Sequence, residues 1–221
     1  MDLFDLIGPV MVGPSSSHTA GAARIGLTAR LLLGEEVARA EVTFHGSFAK
    51  THHGHGTDRA VVGGLMGMAV DDLRLRDSLE LAKERGMDVS FRQVSIRGAH
   101  PNTVRLEVEG VDGRRLTMEA ASVGGGNIEI HRLDGLRVDF TGKENTLIVH
   151  HSDLPGVIAR VTGRIAQCGI NIAGMQVFRR EAGKEAIMVL ELDGMPDEVE
   201  LETISSIGHV QRCTFLKGRT A

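Results

Sequence analysis

Residues 13–21, near the start of the chain, bring four hydroxyl groups and one imidazole together just ahead of an apolar, helix-like pattern. The segment runs in the order Gly13, Pro14, Ser15, Ser16, Ser17, His18, Thr19, Ala20 and Gly21. A proline-fixed turn followed by serine or threonine at a helix start leaves main-chain N–H groups facing outward at the positive end of the helix dipole. Such an end can bind a carboxylate or a phosphate. The segment therefore predicts an anion-binding site, with an ordinary helix cap as the plainer alternative.

A loop at residues 52–59 holds the second chemically active group, in which three imidazoles are interleaved with glycines. Loop histidines this close in sequence rarely converge on one metal ion without further ligands, so a general base is the better interpretation. His55 is the candidate, because glycines on both sides let a substrate come close. Asp58 would orient the ring or cap the next helix, and Arg59 would form a surface or capping ion pair. A loop histidine without a function is the alternative for His55.

Both groups lie where a predicted helix begins. Apolar periodicity predicts helices at 20–33, ended by Gly34, at 60–68, with Thr57 or Asp58 as cap, and at 77–85. Alternating apolar and polar positions predict strands at 40–46, 89–96, 103–109, 114–121, 128–132 and 136–140, of which those from 89 onward form a meander. The three glycines at 124–126 are interpreted as a turn, with close approach to a ligand as the alternative.

A polar connector at 141–144 separates this region from a second, complete pattern. The second pattern predicts strands at 145–151, 171–180, 185–193 and 210–217, and helices at 156–168 and 197–206. The first of these helices carries Val157, Val161 and Ile165 on one face. The βαββαβ order is that of the ferredoxin-like motif, a small sheet with helices on one side.

Composition narrows the function classes open to the 221 residues. The net charge is -4 and both tryptophan and tyrosine are absent, so neither a basic surface nor a base-stacking platform for nucleic acid is predicted. No apolar run is long enough to span a membrane, and the acidic first residues differ from a secretory signal. Cys168 and Cys213 lie far apart in apolar surroundings, which favours reduced thiols in a cytoplasmic protein.

Taken together, the hydroxyl-rich segment 13–19 and the segment 54–59, with the sequence Gly-His-Gly-Thr-Asp-Arg, resemble the beta subunits of bacterial iron–sulfur-dependent L-serine dehydratases. The resemblance covers the whole chain and implies a mixed α+β (α/β) protein of two domains. Residues 1–142 would form an α/β domain similar to the allosteric substrate-binding domain of some phosphoglycerate dehydrogenases. Residues 145–221 would form a ferredoxin-like ACT domain.

The resemblance also implies an activity, the conversion of L-serine to pyruvate and ammonia in the cytoplasm. It implies an alpha subunit as partner, which holds a [4Fe–4S] cluster that acts as a Lewis acid on the substrate hydroxyl. With two cysteines, this chain has too few thiolates to hold such a cluster itself. No metal ligand is therefore expected in this chain, and a homodimer through either domain is left open.

The site residues implied by the resemblance fall into three groups. His55 would be the catalytic base near the substrate Cα. The substrate-binding residues would be Ser15, Ser16, Ser17, His18, Thr19, Gly54, Gly56, Thr57 and Asp58. An effector of the ACT domain would meet Leu154, Pro155, Gly156 and Asn171. Two alternatives remain, namely a purely regulatory amino-acid-binding subunit and a stand-alone histidine-rich metalloenzyme.

Overall fold

The computed structural model describes residues 15–218 of the chain. Contacts divide the chain into two compact units, Met1–Gly135 and Leu136–Ala221. Gly13 and Pro14, and the acidic residues at the start of the chain, lie outside the described residues. The division falls a few residues before the polar connector at 141–144 that the sequence suggests as the boundary.

The first unit is built on strands β1 (Val37–His45), β2 (Asp88–Val94), β3 (Thr103–Gly110), β4 (Arg115–Gly124) and β5 (Asn127–Leu133). Their order in the sheet is β2-β1-β3-β4-β5. Strand β2 runs parallel to β1, and the remaining neighbours are antiparallel. The meander predicted from residue 89 onward therefore begins only at β3. The prediction was wrong for β2 because alternation within a strand does not show which strand it pairs with.

Helices of the first unit are α1 (Ala22–Leu33), α2 (Gly46–Thr51), α3 (Thr57–Leu65) and α4 (Ser78–Glu84), with a 3-10 turn at Leu73–Asp77. A π-helical turn, Ser17–Gly21, leads directly into α1. The predicted helix at 20–33 and its end at Gly34 are confirmed. Helix α2 was not predicted, since six residues are too few to show a helical period.

The two faces of the first sheet differ sharply in chemistry. Buried apolar side chains cover the face toward the helices, among them Val42, Phe44, Leu106, Met118 and Ile130. The other face carries cross-strand ion pairs, such as Arg105 with Glu119 at 2.8 Å and Arg92 with Glu41 at 3.1 Å. Helices therefore cover one side of the sheet only, and the helix N-termini on that side carry the predicted site.

Helices α1 and α3 touch through glycines, with no side chain between their main chains. A Cβ atom added to Gly64 would lie 2.6 Å from the Leu27 nitrogen and nearer still to the Ala23 carbonyl oxygen. A Cβ atom at Gly26 would meet Val61 and Leu65 of the opposite helix in the same way. This close approach brings the segments that precede the two helices side by side.

The second unit contains strands β6 (Leu136–Phe140), β7 (Asn145–Ser152), β8 (Ile172–Arg179), β9 (Glu185–Leu192) and β10 (Val210–Leu216) and helices α5 (Val157–Gln167) and α6 (Glu198–Ser205). Four strands form an antiparallel sheet in the order β10-β7-β9-β8. The predicted βαββαβ order is thus confirmed.

The core of the second unit lies between this sheet and its helices. It contains Val157, Val161 and Ile165, the predicted buried face of α5. Both cysteines are free thiols, and Cys213 packs against this core. None of the helices within residues 15–218 is both long enough and apolar enough to cross a membrane.

Candidate functional site

His18 is the centre of the first motif and bonds at both ends of its ring. Its Nδ1 lies 3.1 Å from Ser15 Oγ, and its Nε2 lies 3.3 Å from Ser47 Oγ at the start of α2. The ring packs edge-on against Phe48, with 5.0 Å between ring centres, and against His55, with 4.9 Å. The two motifs found in the sequence therefore meet at these two imidazoles.

The surroundings of the His18 ring disfavour its protonation. Burial lowers the pKa of His18 below its ordinary value, and repulsion from His55 lowers the pKa further. His18 therefore remains a neutral ring near pH 7, able to donate one hydrogen bond and accept another.

The loop between α2 and α3 is a run of turns that holds His55 in place. Main-chain bonds join His55 to Thr51 at 3.0 Å and Thr57 to His52 at 2.8 Å. Within the His55 ring, Nδ1 is sealed from solvent and has no hydrogen-bond partner among residues 15–218. The other nitrogen, Nε2, is thus the one that remains available for proton exchange.

Asp58 serves a different histidine from the one expected. Its carboxylate lies 3.1 Å from Nδ1 of His53, whose side chain is 79% exposed, and it accepts the Arg59 main-chain N–H at 2.8 Å. The N-cap residue of α3 is Gly56, in a left-handed conformation, and not Thr57 or Asp58 as predicted, although the Asp58 bond to Arg59 lies in the first turn of the helix. The ion pair predicted for Arg59 does not form with any of residues 15–218.

The N–H groups expected to bind an anion lie at the start of the π-helical turn. The main-chain N–H of Thr19 donates to Ser15 O, and that of Gly21 donates to Ser16 O. The N–H groups of Ser16 and Ser17 precede this pattern and have no acceptor within residues 15–218. The half-buried side chains of Ser16 and Ser17 stand at the same helix end.

Two other predicted substrate residues are buried rather than exposed to a ligand. Thr19 and Thr57 are almost fully buried, and their hydroxyl groups lack a partner among the described residues. Gly54, by contrast, is exposed on the loop surface, and Gly56 is half-buried. The structure therefore brings Ser15, His18 and His55 into contact with one another, whereas it buries both threonines.

The glycines at 124–126 form the tight hairpin between β4 and β5, which confirms the turn interpretation. Gly124 pairs with Asn127 across the hairpin, and Gly125 and Gly126 both have positive φ, as a type I′ turn requires. The turn also contacts the first motif. Arg24 of α1 donates to the Gly126 carbonyl, and a Cβ on Gly126 would lie 3.4 Å from Ala20.

Two residues that contact this site were not predicted from the sequence. Ser47 and Phe48 contact the His18 ring, although they lie in the short helix α2 that no periodicity reveals. A usable signal was present, because Ser47 follows a buried strand almost directly and side chains at such strand ends commonly form sites.

The four residues expected to meet an effector are not brought together within this chain. Leu154, Pro155 and Gly156 follow β7 at the end where Ser152 pairs with Glu185. Asn171 precedes β8 at the opposite end of the sheet, about 23 Å away at 3.3 Å per strand residue. There its amide donates to Asp193 at 2.6 Å.

A carboxylate that the sequence did not single out lies beside the Leu154 loop. Asp153 accepts hydrogen bonds from Arg179 at 2.7 Å and from the Gly183 main chain at 3.1 Å. The Arg179 hydrogen bond and then the Gly183 bond lower the pKa of Asp153. Asp153 thus ties this loop to the turn between β8 and β9.

The described residues contain no cluster of three or more His, Cys, Asp and Glu side chains that could hold a metal ion. The loop imidazoles illustrate this, because each one has different neighbours. His52 stacks on Phe44 with 5.0 Å between ring centres, whereas His53 pairs with Asp58. The residues of this chain do not fit an iron–sulfur cluster, whose usual ligands are thiolates.

Known proteins share both units of this chain. The family model described as "Serine dehydratase beta chain" matches residues 1–85, and that of the ACT domain matches residues 145–209. A protein of Bacillus subtilis named "Probable L-serine dehydratase, beta chain" is 42% identical over 96% of both chains. The chain belongs to the family of L-serine dehydratase beta chains.

A second relative in this family, the "L-serine dehydratase, beta chain" of Peptoniphilus asaccharolyticus, is 35% identical over 86% of both chains. A more distant likeness reaches another enzyme. The D-3-phosphoglycerate dehydrogenase of Bacillus subtilis is 31% identical over 78% of this chain, which spans 33% of that enzyme. Family membership thus rests on relatives that match this chain across both units.

Proposed function

We propose that this chain is the beta subunit of a cytoplasmic L-serine dehydratase, which deaminates L-serine to pyruvate and ammonia together with an alpha subunit. The observation that supports it most is the meeting of two distant motifs, with the rings of His18 and His55 4.9 Å apart at the start of α1. An anion-binding helix end beside an imidazole is what removal of a proton next to a carboxylate requires.

In this proposal the helix end binds the substrate carboxylate. The N–H groups of Ser16 and Ser17 are unpaired within residues 15–218, and they lie at the positive end of a helix that continues without a break into α1. A carboxylate held there is fixed in position, which lowers the entropic part of the barrier for the following step.

His55 is the proposed base. Its Nε2 takes the proton from the substrate Cα while the β-hydroxyl leaves, so that L-serine loses one water and becomes 2-aminoacrylate. The aminoacrylate tautomerises to the imine, and addition of water then releases ammonia and pyruvate. His18 does not compete for the proton, because burial and the neighbouring His55 lower its pKa.

In this proposal the departing hydroxyl is polarised by an electrophile from the partner subunit. The family implies a [4Fe–4S] cluster on the alpha subunit, which would polarise that hydroxyl as a Lewis acid. Cys213 is a poor candidate for its ligand in this fold, because the thiol packs against the core and burial raises its pKa to about 11. The active site is therefore proposed to form where the His55 loop meets the alpha subunit.

Anaerobic co-expression of this chain with its alpha subunit tests the proposal, with pyruvate formation from L-serine as the readout. His55→Ala is expected to lower kcat at least a hundredfold, the range of general base catalysis. His53→Ala is the matched control from the same loop and should retain activity, because that ring is exposed and pairs only with Asp58. Undiminished turnover of the His55→Ala enzyme would remove His55 from the mechanism.

A second candidate is a regulatory amino-acid-binding subunit without catalytic residues. It is favoured by the likeness to D-3-phosphoglycerate dehydrogenase, because a two-unit segment shared by two different enzymes suits a regulatory module. Calorimetry of the full chain with L-serine separates the candidates. Serine binding to the isolated chain, together with wild-type turnover of a His18→Phe and His55→Ala double variant, would favour regulation.

A further inference from the structure

The histidine of the serine-rich motif has no ring nitrogen left for a ligand. Nδ1 of His18 is engaged by Ser15 Oγ at 3.1 Å and Nε2 by Ser47 Oγ at 3.3 Å. We propose that Ser47 is a substrate-binding residue and that His18 is a positioning residue acting through it. This inference rests on the proposed function, since the ligand of Ser47 is the carboxylate of L-serine.

The side chains of Ser15, His18 and Ser47 are linked by hydrogen bonds, and a count of their hydrogens shows that one hydroxyl hydrogen is left for the substrate. A neutral imidazole has one N–H donor, and each serine hydroxyl has one hydrogen. Ser15 Oγ accepts the main-chain N–H of His18 at 3.4 Å, and its own hydrogen can then donate to Nδ1. Nε2–H then donates to Ser47 Oγ, which leaves the Ser47 hydrogen free to donate to an acceptor.

The opposite tautomer would leave the free hydrogen on Ser15 instead. A carboxylate is an acceptor only, and hydrogen bonds to charged groups are stronger than those between neutral groups. An anion next to Ser47 therefore favours the tautomer with the proton on Nε2 of His18. Binding of the substrate and the tautomer of His18 are coupled in this way.

Neighbouring residues hold His18 and Ser47 in place within the hydrogen-bonded relay Ser15–His18–Ser47. The Ser47 main-chain N–H donates to Pro101 O at 2.7 Å, and the Thr51 hydroxyl donates to Ser47 O at 2.9 Å. The rings of Phe48 and His55 flank His18 at 5.0 and 4.9 Å between centres. The main chain of Ser47 and the ring of His18 are therefore held in place, as a positioning role requires.

Steady-state kinetics of the complex with the alpha subunit provide the first test. Ser47→Ala is expected to raise the KM for L-serine roughly tenfold or more, the loss of one hydrogen bond to a charged group, with a smaller effect on kcat. Ser47→Thr keeps a hydroxyl and should restore most of the affinity. Lys50→Ala is the matched control on α2, because its side chain is exposed, and it should leave KM unchanged.

A double-mutant cycle separates the relay from two independent contacts. His18→Phe keeps the shape of the ring and removes both nitrogens. If His18 acts through Ser47, the His18→Phe and Ser47→Ala double variant has a KM no higher than the worse single variant. Effects that multiply to roughly a hundredfold would overturn the proposal.

A spectroscopic experiment does not depend on turnover. It can therefore show that the role proposed for His18 and Ser47 is wrong independently of whether the proposed function is wrong. Nitrogen-15 NMR of the histidine-labelled full chain reports which ring nitrogen of His18 carries the proton, and the His18→Phe variant assigns the signal. Protonation at Nε2 that shifts toward Nδ1 in Ser47→Ala supports the relay. An unchanged His18 signal in Ser47→Ala overturns it, whether or not the wild-type complex turns over L-serine.

Discussion

Replacing Gly64 by alanine should wedge α1 and α3 apart. The new Cβ would lie 2.6 Å from the Leu27 nitrogen, whereas real Cβ atoms essentially never come within 3.0 Å of a neighbour. The helices must therefore separate by at least 0.4 Å, the difference of the two distances, and by more to clear the Ala23 carbonyl oxygen. Both obstructing atoms belong to main chain, which cannot rotate away as a flexible side chain would.

Overpacking of this kind costs about 1–3 kcal/mol, and the intrinsic preference of a helix for alanine returns about 0.5–1 kcal/mol of it. We therefore expect Gly64→Ala to destabilise the first unit by roughly 1 kcal/mol, the difference between the two effects. Gly163→Ala in α5 is the matched control, since nothing lies within 4 Å of its added Cβ, and it should be neutral or slightly stabilising.

Hydrogen exchange of the full chain is the suitable assay, because it reports the stability of each unit separately. Amides of α1 and α3 should exchange faster in Gly64→Ala, and those of α5 should not. Activity should fall as well, by about tenfold, because α1 and α3 carry the His18 and His55 segments at their N-termini and small misplacements are costly. Wild-type exchange in Gly64→Ala would refute the close main-chain packing described here.

Two further predictions concern pH and the β4–β5 turn. The pKa of His18 is lowered in the folded state, so below pH about 6.5 the unfolded chain binds more protons than the folded chain. The contribution of neutral His18 to the free energy of unfolding should therefore be fully present above that pH and should be lost as the pH falls through the lowered pKa. Urea unfolding at several pH values should show a shallower acid loss in His18→Phe, and parallel curves would contradict the assignment. Gly125→Asn should be neutral and Gly125→Val should destabilise by roughly 1–2 kcal/mol, because a type I′ turn tolerates asparagine at positive φ but not a β-branched residue. Thermal unfolding checks this pair, and equal midpoints for both variants would argue against the turn type.

Local sequence patterns predicted most of the helices and strands, but they did not predict which strands pair with each other. The second unit follows its predicted βαββαβ order because each of its elements is long enough to show a period and is bounded by turn residues. Strand β2 alternates like its neighbours, yet it pairs in parallel with β1 rather than joining the meander. The pairing of β2 depends on how the helices between β1 and β2 pack on the sheet, and a local sequence pattern carries no information about that packing.

Prediction of the site shows the same limit. The residues of the two motifs were found because hydroxyls, imidazoles and glycines are conspicuous in sequence, and the structure brings His18 and His55 into contact. Their partners were assigned less well. Asp58 supports His53 rather than His55, and Ser47 supplies a contact that no motif suggested. A side chain's partner depends on loop conformation, and here the turns of residues 52–56 decide it.

The contact between the two imidazoles assigns them different tasks. Burial lowers the pKa of His18, and repulsion from His55, whose ring centre lies 4.9 Å away, lowers it further. His18 also has both nitrogens bound by serine hydroxyls, whereas Nε2 of His55 has no hydrogen-bond partner within residues 15–218. In the proposed mechanism, proton exchange with the substrate is therefore assigned to His55, and the orientation of hydroxyl groups is assigned to His18. It follows that His18→Phe should raise the KM while the proton-transfer step persists, and that His55→Ala should slow that step about a hundredfold or more with little change in affinity.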